Sequence, residues 1–122
     1  MANLTSKITL TSTDSTSDSL DFSVVNSLTV TNPTINLARV SVLHTGSGTE
    51  IITAAAVNPH TYFYAKNIDN ANYIICRTAA GVEWGRLAPG ESMFMAVAAA
   101  VGIEFLADVA TCVVEYGYWT KT

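Results

Sequence analysis

Apolar side chains in the first third of the chain fall almost wholly on even positions. They fall at Leu4, Ile8 and Leu10, then at Leu20, Phe22 and Val24, then at Leu28 and Val30, with Ser and Thr dominating between them. Period two marks a strand with one covered face, whereas a helix needs apolar spacings of three and four. Threonine also favours strands over helices. The stretch Thr13 to Ser19 has no apolar residue and predicts a loop, and Asn32-Pro33 closes the last of three predicted strands.

From residue 35 the pattern thickens. Ile35 to His44 is a nearly continuous apolar strand closed by Gly46-Ser47-Gly48, and Glu50 to Thr53 follows. An Ala-Val segment ends at Asn58-Pro59, and Thr61 to Lys66 is aromatic and strand-like. A polar connector over Asn67 to Asn72 joins it to Tyr73–Thr78, and the two runs together predict a hairpin. Val82–Leu87 is a short strand. Ala88-Pro89-Gly90-Glu91 predicts a type II turn, because Pro presets the first central dihedral and Gly accepts a positive one. Strands over Ser92–Val97, Ile103–Ala107 and Thr111–Trp119 complete the chain. Only the Ala-Val run from Ala96 to Val101 also suits a helical turn, stopped by Gly102. Eight to ten short strands spaced about ten residues apart predict an all-β fold, an antiparallel β-sandwich of jelly-roll type. Residues 1–34 form a Ser/Thr-rich β segment able to act as an inter-subunit arm, and residues 35–122 form the sandwich core, together one domain.

Length and charge narrow the function. A chain of 122 residues is one domain that can bury roughly two-thirds of its unfolded surface. Charged residues make up 13% and apolar ones 49%, which excludes intrinsic disorder. The net charge of −4 has the wrong sign for a nucleic-acid surface. The first residues lack a secretory signal pattern, and the longest apolar run, Met93 to Ile103, is about half of a membrane span. Cys76 and Cys112 read as reduced, buried strand residues, with one buried disulfide as the alternative.

Catalytic chemistry finds little support. His44 or His60 could be combined on paper with Asp69 or Asp108 and one of many serines, but no Gly-x-Ser-x-Gly elbow accompanies them. Neither the cysteines nor the histidines have zinc-ligand spacing, and Gly46-Ser47-Gly48 lacks the Lys of a phosphate loop. Glu115 stands in an apolar strand, which predicts an outward carboxylate or a pairing with Arg39 or Arg77. The chain is read as a non-enzyme without metal or cofactor.

The aromatic residues carry the interface expectation. Tyr62 and Tyr64 share one face of their strand, Tyr116 and Tyr118 share one face of theirs, Trp84 stands before the Pro-Gly turn, and Trp119 lies near the end of the last strand. Tyr and Trp suit an interface with a wet rim, though some of these rings must fill the core, and a carbohydrate platform would use the same types. A chain this poor in charge exposes uncharged patches of the kind that mark protein contacts. A homo-oligomer is therefore expected.

Three short motifs, Tyr62-Phe63-Tyr64-Ala65-Lys66-Asn67, Arg86-Leu87-Ala88-Pro89-Gly90-Glu91 and Val114-Glu115-Tyr116, resemble those of small structural proteins of tailed bacteriophages. The resemblance covers roughly residues 61–119. It implies a virion component, a capsid decoration or cement protein that is often trimeric. Such a protein is assembled in the host cytoplasm and bound to the major capsid protein on the outer surface of the head. Nucleic acid and membrane are not among the implied partners. The alternatives are a tail, neck or fibre module with host-glycan binding, and a non-viral lectin-like or assembly module.

Overall fold

A computed structural model describes residues 2–14, 20–30, 35–53 and 61–120. Among them are ten strands: β1 (Ala2–Ser12), β2 (Leu20–Val30), β3 (Ile35–Val42), β4 (Thr49–Ile52), β5 (Thr61–Asn67), β6 (Ile74–Arg77), β7 (Glu83–Leu87), β8 (Ser92–Val97), β9 (Ile103–Ala107) and β10 (Cys112–Thr120). The Ala-Val run splits between β8 and a single 3-10 turn, Ala99–Val101, that Gly102 ends.

β3 to β10 form two four-stranded antiparallel sheets, in the orders β3-β10-β5-β8 and β4-β9-β6-β7. β3 pairs with β10, β4 with β9, β5 with β8 and β6 with β7. The chain thus doubles back about the β6–β7 turn. It is then rolled so that β10 also pairs with β5 and β9 with β6. That is the jelly-roll sandwich expected from strand number and spacing.

Alternation decides the core. Phe63 and Ala65 of β5, Val114 and Cys112 of β10, Ile74 and Cys76 of β6, and Ile103 and Phe105 of β9 point between the sheets and are buried. Phe63 and Phe105 meet edge to face across the gap, ring centres 5.9 Å apart. Both cysteines are unpaired and buried.

Two expectations need correcting. The strand from Leu20 runs unbroken to Val30, so the described residues of the N-terminal segment form two strands rather than three. Parity is kept across Asn26-Ser27, and the polar pair is simply the less apolar middle of one long strand. Its end at Asn32-Pro33 lies outside the described residues, as do residues 15–19, Asn58-Pro59 and His60. Secondly, β5 and β6 are not a hairpin, because they belong to different sheets. The connector crosses the sandwich edge, held by Asn67, whose Nδ2 donates to Asn72 O at 2.9 Å and Leu87 O at 3.1 Å. The Asn67 Oδ1 accepts the Asp69 N–H at 3.0 Å.

The Pro-Gly turn forms as expected. Gly90 has φ +81°, and the Glu91 N–H donates to Ala88 O at 3.0 Å.

Candidate protein interface

Strand β5 sorts its aromatic residues by parity. Phe63 enters the core, so Tyr62 and Tyr64 stand on the outer face of the β3-β10-β5-β8 sheet. Register then assembles their neighbours. Tyr62 is opposite Trp119 on β10, and Tyr64 is opposite Gly117 on β10 and Phe94 on β8. Tyr62 stacks on Phe94, centroids 6.1 Å apart and planes 16° apart, and is buried although it faces outward. Gly117 leaves room for this surface. Leu37 and Trp119 both fold over it, each with an atom 3.2 Å from where a Cβ would stand.

A polar corner borders the rings. Tyr64 Oη donates to Glu115 Oε1 at 3.2 Å, and Arg39 Nε lies 3.5 Å from Glu115 Oε2. Glu115 is thus both outward and paired with Arg39, as expected. The Tyr64 hydroxyl is pushed above its ordinary pKa by burial first, then by its hydrogen bond to Glu115 and by that carboxylate's charge. Arg39 is largely exposed, so this ion pair adds less than about 1 kcal/mol.

The β1–β2 hairpin stands over this face. Among the described residues it is a two-stranded sheet of its own, with no strand pairing to either sheet of the sandwich. Its register pairs Leu4 with Leu28, Ile8 with Val24 and Leu10 with Phe22, which puts the even side chains on one side. That side is covered near the base, where Val30 is fully buried and Leu4 and Leu28 are partly so. It is open toward the tip, where Ile8, Leu10 and Phe22 are exposed. Between β1, from Leu4 to Thr9, and the aromatic face lies an open groove of about 620 Å³ floored by Leu37, Tyr64, Phe94 and Trp119.

Of the six aromatic residues singled out from the sequence, the structure brings together Tyr62, Tyr64 and Trp119. Tyr116 and Tyr118 lie on the other face of the same sheet and pack against the core, because β10 alternates in step with Val114. Trp84 belongs to the other sheet, where a bulge between β6 and β7 falls beside it. There it borders a hollow of about 280 Å³ with Met95, Val97 and Val101. Sequence reasoning missed Phe94 and Leu37. Phe94 sits between two methionines, so its own strand offers no parity contrast.

The outer face of the β4-β9-β6-β7 sheet is charged instead. Arg77 is paired with Glu104 and donates to Ser47 O at 2.9 Å, while Arg86 is paired with Glu83. Titratable groups elsewhere serve the fold. Asp69 accepts the N–H groups of Asn72 at 2.7 Å and Ala71 at 2.9 Å, and these bonds hold its carboxyl below the usual range. His44 is exposed beyond the end of β3, and His60 lies outside the described residues. Among the described residues no group of three or more His, Cys, Asp or Glu is placed to hold a metal ion, and no helix is long and apolar enough to cross a membrane. No protein-family model matches the chain, and no curated protein or solved structure matches it either.

Proposed function

We propose that this chain is a non-catalytic building block of a bacteriophage virion, a head-decoration protein that self-associates and bridges major capsid proteins on the outside of the shell. The observation that supports this best is the asymmetry of the sandwich. One outer face carries an exposed ion pair, Arg86–Glu83, and a largely buried one, Arg77–Glu104. The other presents Leu37, Phe94, Trp119 and an apolar hairpin without a strand partner. Aromatic-rich surface with a polar rim, here the Arg39–Glu115 pair, is what a protein contact covers. Binding would act mechanically: a ligand that holds only the assembled state stabilises it by mass action, with no bond made or broken.

The test is cosedimentation of the purified protein with expanded, undecorated phage heads, followed by thermal disruption of those heads. Saturable binding and a raised disruption temperature are expected. Absence of both would overturn the reading. A tail or fibre module with glycan binding is the second reading, favoured by the hydroxyls of Thr5, Thr9 and Ser92 beside the ring-floored groove. Saturable binding to cell-envelope glycans without binding to heads would select it.

A further inference from the structure

The hairpin is longer than the body that carries it. Its strands have 11 residues each, and those of the aromatic sheet have 9 or fewer. At about 3.3 Å per residue this is about 36 Å of hairpin against at most about 30 Å of sheet, and four strands side by side span only about 19 Å. Whether the hairpin runs along the strands or across them, the sheet is shorter than the hairpin. Exposure shows which part is left over. Leu10 and Phe22, cross-strand partners near the tip, are 53% and 45% exposed. The even side of both strands, from Ala2 to Ser12 and from Leu20 to Val30, bears no charged residue, since Lys7 and Asp21 are on the odd side.

The same chain carries a complementary hollow. The open groove floored by Tyr64, Phe94 and Trp119 has room for several side chains. Its own tip cannot reach in: β1 already forms the groove wall from Leu4 to Thr9, and a paired strand cannot bend Leu10 back under residues it directly follows. Only four residues separate Val30 from Ile35, so the base is tethered to β3 as well. Plug and socket are present once per chain, in equal number; the plug is apolar, and the groove has an aromatic and aliphatic floor with Thr5, Ser6, Lys7, Thr9 and Ser92 along its walls. The geometry points to a head-to-tail contact in which the Leu10–Phe22 pair of one copy seats in the Tyr64–Phe94–Trp119 groove of a second copy of this chain. A contact between two different patches closes into a ring when its rotation allows and otherwise extends as a filament. This deepens the self-association proposed above and rests on it.

Two full-length variants, Leu10→Cys and Ser92→Cys, carrying different affinity tags, are co-expressed and mildly oxidised. Ser92 lines the groove and is exposed. The native Cys76 and Cys112 are buried and do not compete. A covalent dimer bearing both tags is expected, and none when Glu50→Cys on the charged sheet replaces Ser92→Cys. In parallel, Phe22→Asp, checked for folding by near-ultraviolet circular dichroism, should reduce the mass seen by light scattering to that of one chain. A single-chain wild-type protein would overturn self-association and this contact together. An oligomer that survives Phe22→Asp and gives no mixed dimer would overturn this contact alone, leaving self-association through another surface.

Discussion

Asn67 is fully buried, and two segments distant in sequence converge on it. Its N–H donates to Glu91 O and its carbonyl accepts from Gly90, both at 2.9 Å. Its amide reaches Leu87 O, and its backbone lies opposite Val114. The motifs ending in Lys66-Asn67, running through Pro89-Gly90-Glu91 and centred on Glu115 therefore occur together for a packing reason. They speak to the fold rather than to a binding site. Asn67→Ala leaves buried carbonyls without donors and should cost roughly 2–4 kcal/mol in urea unfolding. The buried thiols make a second residue-scale prediction. Burial, then the charge of Glu83, pushes Cys76 up to about 12. The folded state thus favours the neutral thiol. The stability this brings is full below the ordinary thiol value and is lost as pH rises toward about 12. At about pH 9, where an unfolded thiol is largely ionised, iodoacetamide should leave Cys76 unmodified in native protein and label it in urea, as read by mass spectrometry.

At the scale of elements, the turns are specified unequally. Gly90 (φ +81°) has open space where a Cβ would stand, so Gly90→Ala should cost only about 1–2 kcal/mol of left-handed strain. Gly48 (φ +74°) differs, because a Cβ there would stand 2.2 Å from Phe105 O, against the backbone of β9. Gly48→Ala should lower the melting temperature well beyond Gly90→Ala in calorimetry, and equal effects would contradict this close approach. The hairpin makes the opposite case. Two strands without a third partner are marginal alone. In hydrogen exchange on the isolated chain, the β1–β2 amides should therefore exchange faster than those of β5 and β10, which are paired on both sides.

For the whole molecule, the two outer faces divide the labour. One face is lined by the ion pairs Arg77–Glu104 and Arg86–Glu83, and the other by aromatic rings, an Arg39–Glu115 pair at their border and the long hairpin. The proposed association through that second face would rest on apolar area rather than Coulomb attraction. An oligomer formed in this way should persist between about 0.1 and 1 M salt, over which exposed charges are screened. Dissociation by salt in light scattering would instead assign the contact to charged surface.

Alternation along each strand and the Pro-Gly turn are local properties, and from them the β-sandwich and most strand limits were legible in the residues alone. The assembly of the candidate site was not. Parity tells which side chains of one strand lie together, but it does not say which side is the interior. Tyr62 with Tyr64 and Tyr116 with Tyr118 look alike in sequence, yet register against Phe63 and Val114 sends the first pair outward and the second inward. The loop held by Asn67 likewise carries β6 to the opposite sheet, an outcome set by hydrogen bonds to residues 20 and more positions away. Only long-range pairing chooses the absolute side of a strand, and so only the tertiary structure could gather Tyr62, Tyr64, Phe94 and Trp119 beneath the hairpin.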